Sequence, residues 1–364
     1  MLSDRARFGI VTAGVVVLIA YGSLFPFAFH ACAPSPATLL ATPAILDRGD
    51  LLSNILFYMP LGFFAQRAWF GSRKRGASKW SVAATAVAGT ALSFAMELTQ
   101  FCAAGRVPSL GDVWANGAGT LLGAMAAVVA GDRLNAGAML AAFWVGSRTL
   151  PYFPSLHWSK YRDAIRPILH APARPLEVFH YFGLWLAAAA VIDAVTGSRR
   201  ARWILPALIG AVFAARVVIV DLSLTPGEVE GALAAVLAWN AIARAAWRDK
   251  AVAAIFAIFI VEQALEPFRF LAVPRSFDWI PFYSFMLGPR EGASRVFLEK
   301  SFMYGSLTWL AARAGVPFST AAICATALVF AVRLAQVYLP GRSAEITDAI
   351  MVAMFAATLK LTRT

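Results

Sequence analysis

The chain has 364 residues, of which 60% are apolar and only 14% charged, with a net charge of +12 and a mean hydropathy of +0.67. A soluble globule lies nearer about 45 to 50% apolar and about 25% charged, so a soluble enzyme or binding domain is excluded and a polytopic membrane protein is expected. The positive charge does not point to nucleic acid, because the basic residues fall in short loops between apolar runs.

A spanning helix needs about 20 mostly apolar residues. That length predicts an all-α polytopic membrane helical bundle of about twelve transmembrane helices, near 8–28, 50–70, 80–101, 112–131, 136–152, 176–196, 202–221, 228–247, 250–268, 296–314, 317–338 and 345–361. The fifth and the last are short for a crossing. If all are real, one side receives Arg5, Arg7, Arg67, Arg73, Lys74, Arg75, Lys79, Arg133, Arg199, Arg200, Arg202, Arg244, Arg248, Lys250, Arg313, Lys360 and Arg363. By the positive-inside rule both termini are then cytoplasmic.

The first segment, Phe8–Ala20 after Arg5 and Arg7, has the look of a secretory signal, yet no small-x-small cleavage site follows cleanly. It is read as an uncleaved first helix. Beyond it, Leu24-Phe25-Pro26-Phe27 suits an interfacial aromatic belt, as do Tyr152-Phe153-Pro154 and Phe277-Asp278-Trp279-Ile280-Pro281-Phe282 further along. Cys32, Cys102 and Cys324 are too few and too scattered for a metal cluster or disulfide framework. Cys32 and Cys102 both fall near predicted outer ends, where pairing is open to them, but buried inert thiols are the favoured expectation.

The second to fourth segments carry polar residues that no lipid-facing stretch tolerates: Asp50 and Asn54, then Glu97, Gln100, Arg106, Asp112 and Asn116. An ionisable group at the bilayer centre costs at least ~2.5 to 3.5 kcal/mol, so each is a site hypothesis by default. Asp50-x3-Asn54 and Asp112-x3-Asn116 each put both members on one helix face near an outer end, and Glu97 and Gln100 reach a similar depth from the opposite direction. Simpler roles stand beside this one. Asp50 and Asp112 sit where a carboxylate favours the helix dipole, and Asn54 and Asn116 can bridge neighbouring helices. Glu97, near a helix C-terminus, needs Arg106, a bound cation or a proton to be tolerated. Gly117, Gly119 and Gly123 read as close-packing positions, and Pro60 with Gly62 as a kink.

The loop 153–175 breaks the charge rule, with Lys160, Arg162, Arg166 and Arg174 on the predicted outer face. Either the segment 136–152 is not a full crossing, or the loop is a basic, partly helical stretch lying on anionic headgroups. Further on, an ungapped match at offset 236 sets Ala331, Leu334, Gln336, Gly341, Arg342 and Asp348 under Ala95, Leu98, Gln100, Gly105, Arg106 and Asp112. Four of those identities are polar or glycine, more than shared hydrophobicity gives. Three four-helix repeats are therefore expected over 1–131, 132–249 and 250–364, the middle one matching only in helix rhythm. Arg216 and Arg333 stand where the first repeat has Glu97. Nucleophile elbow, phosphate loop, HExxH and CxxC patterns are absent from the sequence.

At Asp50, Asn54, Phe57, Pro60, Leu61 and Gly62, then Glu97, Gln100 and Phe101, then Arg106, Asp112, Asn116, Gly119 and Gly123, the sequence resembles the VanZ-like family of bacterial integral membrane proteins. The match covers residues 10–131 well, 252–361 in weakened form, and the middle scarcely at all. The resemblance implies a place in the bacterial inner membrane and an envelope role, the family taking its name from a protein linked to low-level teicoplanin resistance. It implies no settled biochemical activity and leaves any cofactor unknown. Val352 in place of the second asparagine, together with Arg216 and Arg333, leaves the first repeat as the one expected to carry the family's site.

Three functions are weighed. In the first, Asp50, Glu97 and Asp112 form an acidic cluster, Arg106 contacts an anionic group, and Asn54, Gln100 and Asn116 orient a lipid-linked or amphipathic envelope molecule, or a glycopeptide, in the outer leaflet. Arg333, Gln336, Arg342 and Asp348 are secondary candidates. In the second, the carboxylates are general acid and base or ligands of a hard cation in a membrane-embedded hydrolase or transferase, although no metal site is assigned. A transporter is the third, less suited because transport sites lie near the midplane. Membrane lipids are the expected partners, and nucleic acid is not.

Overall fold

The structure, a computed structural model, describes residues 2–33, 35–42, 47–71, 78–131, 135–287 and 290–362, with the backbone alone at 290 and 291. Arg73, Lys74, Arg75, Arg133 and Arg363, on which part of the expected sidedness rests, lie outside the described residues. Those described are helical, without a β-strand. In chain order the helices are α1 (Asp4–Leu24), α2 (Pro36–Leu40), α3 (Arg48–Trp69), α4 (Lys79–Gln100), α5 (Leu110–Ala130), α6 (Ala136–Thr149), α7 (Trp158–His170) and α8 (Pro175–Thr196). There follow α9 (Ser198–Val218), α10 (Pro226–Ile242), α11 (Arg248–Leu265), α12 (Tyr283–Leu287), α13 (Arg290–Arg313), α14 (Phe318–Ala335) and α15 (Thr347–Leu361).

This is the all-α bundle of a multi-pass membrane protein. Among the described residues six helices are long and apolar enough to cross a membrane: α1, α4, α5, α8, α9, and α14 with the 3-10 turn that extends it to Tyr338. The other predicted segments form α3, α6, α10, α11, α13 and α15. Of these, α6 and α15 have 14 and 15 residues, below the length of a full crossing, and α10 with 17 is at its lower end.

The chain divides into two compact units, Met1–Leu134 with Phe285–Ser294, and Asn135–Ser284 with Arg295–Thr364. In the first, α3 and α5 run parallel with their backbones in contact. A Cβ added at Gly119 would lie 2.3 Å from the Ile55 carbonyl oxygen, one at Gly123 2.0 Å from that of Met59, and one at Gly62 1.9 Å from that of Thr120. Glycines at four-residue spacing on α5 thus meet successive turns of α3, as small residues do where lipid gives no hydrophobic drive between helices. α3 is helical through Pro60. Ile19, Tyr58 and Leu61 form a buried cluster between α1 and α3, with Leu92 and Met96 of α4 against it.

At one end of this unit the segment after α1 pairs with the segment after α4. The Ala104 amide donates to the Ala28 carbonyl at 2.8 Å and the His30 amide to that of Cys102 at 2.9 Å, around a bridge between Phe29 and Ala103. This pairing brings the α-carbons of Cys32 and Cys102 to 5.3 Å, inside the span a disulfide needs, and the two are bonded. The expectation of inert thiols is therefore corrected for this pair. The physical reason is a backbone ladder between segments about seventy residues apart.

In the second unit α8 is the central helix. Every residue from Gly183 to Asp193 is buried, and Trp185 meets Trp144 edge-to-face at 5.1 Å. At its C-terminal end Asp193 and Asp249 are held by Arg248, at 3.4 and 2.9 Å, and Asp249 by Arg313 at 3.3 Å.

One local turn recurs. After α1, α6 and α11 the aromatic residues Phe27, Tyr152 and Phe268 take φ of 63, 67 and 59°. Each amide bonds back three residues, to Leu24, Thr149 and Leu265, at 2.8, 3.0 and 2.8 Å. In the third case the matching residues are Glu266, Pro267 and Phe268, so the predicted segment Phe277–Phe282 lies beyond the equivalent turn.

The α3–α5 contact yields a direct test. Gly123→Ala forces a side chain into the Met59 carbonyl and is expected to destabilise by about 1 to 3 kcal/mol, the usual cost of overpacking. Gly9→Ala, where nothing lies within 4 Å, is expected to be neutral or stabilising. Thermal unfolding of detergent-purified protein reads both, and equal melting for the two variants contradicts the packing.

Candidate functional site

The polar residues singled out in the sequence are carried by the first half of α3, the last turn of α4 and the first two turns of α5, with Arg106 in the segment between α4 and α5. Ser109 caps α5 in an extended conformation, its hydroxyl accepting from the Asp112 amide at 3.4 Å. Glu97, 3% exposed in the last turn of α4, turns its carboxylate away from that helix's negative end. Its Oε2 accepts the Ser109 amide at 2.9 Å. The positive N-terminus of α5 meets a charge that the C-terminus of α4 disfavours.

Asp112 joins α5 to α3, its Oδ1 accepting from Asn54 Nδ2 at 2.9 Å. Asn116, one turn on, joins α5 to α4 by donating from Nδ2 to the Ser93 hydroxyl at 2.9 Å. Between them lies Tyr58, one turn after Asn54 on α3 and 1% exposed. Its hydroxyl sits beside Ser93 in the field of the Glu97 and Asp112 carboxylates. Ser93 lies close enough to act on it, but neither this hydroxyl nor Asn116 Oδ1 completes a hydrogen bond of full geometry among the described residues.

Gln100 and Arg106 serve a different end of the arrangement. Gln100 Nε2 donates to the Ser23 carbonyl, and Arg106 Nε and Nη2 to those of Phe25 and Gly22, each at 2.9 Å. These are carbonyls at the C-terminus of α1, which the helix itself leaves open. Asp50 lies in the first turn of α3, half-buried one turn before Asn54, its amide capped by Asp47 at 2.7 Å. The structure thus brings Asn54, Glu97, Asp112 and Asn116 together around Tyr58, and sets Gln100 and Arg106 on the neighbouring helix end.

The secondary candidates form a comparable arrangement in the second unit. Gln336 Nε2 donates to the Ala264 carbonyl at 2.6 Å and Arg342 Nε to that of Glu266 at 2.8 Å, the same two clamps on the end of α11. Asp348 is fully buried, accepting from Lys300 Nζ at 2.7 Å on Oδ1 and from the Tyr304 hydroxyl at 2.6 Å on Oδ2. Arg333 pairs with the same Oδ2 and donates to the Tyr304 hydroxyl at 3.1 Å. On α13, Lys300 and Tyr304 have the spacing that Asn54 and Tyr58 have on α3. Neither was foreseen from the sequence, because they repeat at an offset of 246 while the later helices repeat at 236.

In the middle of the chain, Glu228 in the first turn of α10 is buried against two cations. Arg148 is hydrogen-bonded to it, and Arg216 Nε lies 3.1 Å from its Oε2. Arg216 and Arg333, at the position of Glu97, each meet an acid from the following helix. Among the described residues no three His, Cys, Asp or Glu side chains gather so as to hold a metal ion.

The family model described as VanZ/LLP1 matches residues 9–131, the stretch that builds the Glu97 arrangement. No curated protein and no solved structure matches the chain.

Asp348→Asn removes the one carboxylate shared by Arg333 and Lys300. Breaking a buried pair from one side costs about 3 to 5 kcal/mol, so a loss of that order in unfolding stability is expected. An unshifted melting curve contradicts the ion-pair assignment.

Proposed function

We propose that the first repeat, whose residues 9–131 match the VanZ/LLP1 family model, binds or modifies a lipid-linked or amphipathic molecule of the bacterial envelope, glycopeptide antibiotics included. The site is Asn54, Tyr58, Glu97, Asp112 and Asn116, opening to the outer leaflet of the inner membrane. Asp50 lies at its entrance, and Gln100 and Arg106 hold α1 as its wall.

The observation that carries this reading is two buried polar atoms, the Tyr58 hydroxyl and the Asn116 amide oxygen, that complete no hydrogen bond among the described residues, Ser93 lying beside the tyrosine. A buried polar group left unsatisfied costs about 1 to 3 kcal/mol, and such groups are exceptions that call for a role. The Asn116 amide oxygen and the two carboxylates favour a ligand that carries donors, such as hydroxyl, amide or ammonium groups, and the Tyr58 hydroxyl can either give or accept a bond. The comparable tyrosine in the second unit, Tyr304, accepts its donor from Arg333. In the first repeat that donor comes from the ligand.

The outward orientation draws support from the Cys32–Cys102 disulfide, which joins the same end of the unit. Disulfides persist in oxidising compartments and are rare in the cytosol. With that end outside, the N-terminus falls on the cytoplasmic side in line with the charge distribution.

Glu97→Gln, Asp112→Asn and Tyr58→Phe, expressed at equal levels in a strain lacking the chromosomal copy, are expected to shift teicoplanin susceptibility and the envelope lipid profile toward those of the deletion. Loss of one charge-assisted bond, about 1.5 to 3 kcal/mol, corresponds to at least about tenfold weaker binding. Wild-type behaviour of all three contradicts the site.

A further inference from the structure

The helix α7 belongs to neither the polar site nor the ion-paired clusters. It has 13 residues, too short to cross a bilayer. Its inner face is fastened to the C-terminal end of α9. Lys160 Nζ donates to the carbonyls of Arg216, Val217 and Leu222 at 3.2, 3.0 and 2.6 Å, and Ala164, 1% exposed, accepts at its carbonyl from the Leu224 amide at 2.9 Å. The Tyr161 hydroxyl donates to the Ser155 carbonyl at 2.6 Å. Burial pushes the Lys160 ammonium below the ordinary lysine range, against the opposing field of Asp221.

The outer face is divided into two strips. At about 100° per residue, Ile165, Trp158 and Leu169 fall within an arc of about 40°, and Arg162 and Arg166 occupy the next arc of about 60°. Trp158, Leu169 and Ile165 are 78, 72 and 40% exposed, and Leu156, just ahead of the helix, is 91% exposed. Arg162 pairs with Asp163 at 3.6 Å, but both side chains are more than half exposed. Such a contact contributes about 0 to 1 kcal/mol and leaves the guanidinium available. Arg174 follows at the entry to α8.

We propose that α7 lies flat at the membrane surface and binds anionic phospholipid, with Leu156, Trp158, Ile165 and Leu169 entering the acyl boundary and Arg162, Arg166 and Arg174 taking the phosphate headgroups. An apolar strip bordered by a basic one is the arrangement of an interfacial helix. Each arginine near an anionic surface contributes about 1 kcal/mol, which sets the preference for charged over zwitterionic lipid. The tryptophan suits the headgroup level, where its ring is both apolar and a donor. This assignment is independent of the polar site on α3, α4 and α5.

The test uses the full chain with Cys324→Ala, keeping the Cys32–Cys102 disulfide, in nanodiscs of phosphatidylcholine with or without phosphatidylglycerol. Nitroxide labels are placed at Leu169→Cys and, on the opposite edge of the outer face, at His170→Cys. Collision rates with oxygen and with a water-soluble nickel chelate report depth. At 169 the label is expected to be oxygen-accessible and shielded from nickel, and at 170 aqueous. Native mass spectrometry of the Arg162→Gln, Arg166→Gln, Arg174→Gln variant is expected to show several-fold less retained phosphatidylglycerol and unchanged phosphatidylcholine. Nickel accessibility at 169 equal to that at 170 overturns the proposal. So does undiminished phosphatidylglycerol retention by a variant that elutes as wild type, and if that variant does not fold the label depths decide alone.

Discussion

A carboxylate in the last turn of a helix, buried in an apolar bundle, has to be met by donors from another element. In this protein that requirement joins α4 to α5 through the Ser109 amide and Glu97 Oε2, 2.9 Å apart. The bond fixes where α5 begins, and the glycines of α5 then set how close α3 approaches. Only at that separation does Asn54 reach Asp112 and Asn116 reach Ser93. The arrangement of the site is thus a consequence of satisfying one charge together with a backbone contact that admits no β-carbon.

The chain meets the same electrostatic problem at three places and in two ways. At the end of α4 an acid leans on the N-terminus of α5. At the ends of α9 and α14 an arginine meets an acid of the following helix, Arg216 with Glu228 and Arg333 with Asp348. A cation at a helix C-terminus is favoured by the dipole, and an acid in the first turn of the next helix is favoured too, so these pairs stabilise both ends. The Glu97 arrangement gives up the first of these advantages, and like the arginine pairs, which leave Arg216 Nη1 and Arg333 Nε without a hydrogen bond, it has unmatched buried atoms, Tyr58 Oη and Asn116 Oδ1, among the described residues. A local arrangement less favourable than its own alternatives is where function is expected to reside.

Much of this was legible in the sequence. Apolar runs marked the helices, the cost of intramembrane charge marked Glu97 and Asp112, and the small-residue spacing of Gly119 and Gly123 marked a close contact. The clamp residues were legible as identities at one offset, Gln100 with Gln336 and Arg106 with Arg342. What escaped notice has physical reasons. The Ser109 partner of Glu97 is a backbone amide, which has no side-chain signature. Tyr58 is indistinguishable in composition from any aromatic in an apolar helix until its neighbours are placed. Lys300 and Tyr304 sit on a helix whose offset differs from that of its successors, so a single ungapped comparison passes over them. The Cys32–Cys102 bond depends on a backbone pairing between distant loops, and neither hydropathy nor spacing encodes such a pairing.

The central claim is that the Glu97 arrangement receives a specific amphipathic molecule, and capture of that molecule in place is its most direct test. Phe57 is 39% exposed beside Tyr58 on α3, and a photo-crosslinking residue in its place, irradiated in intact cells, records what lies against the site by the mass of its adduct. The account predicts a discrete adduct, distinct from bulk phospholipid, whose yield collapses in the Glu97→Gln background and persists with Arg333→Gln. An adduct pattern of bulk phospholipid alone, identical with and without Glu97, would contradict it.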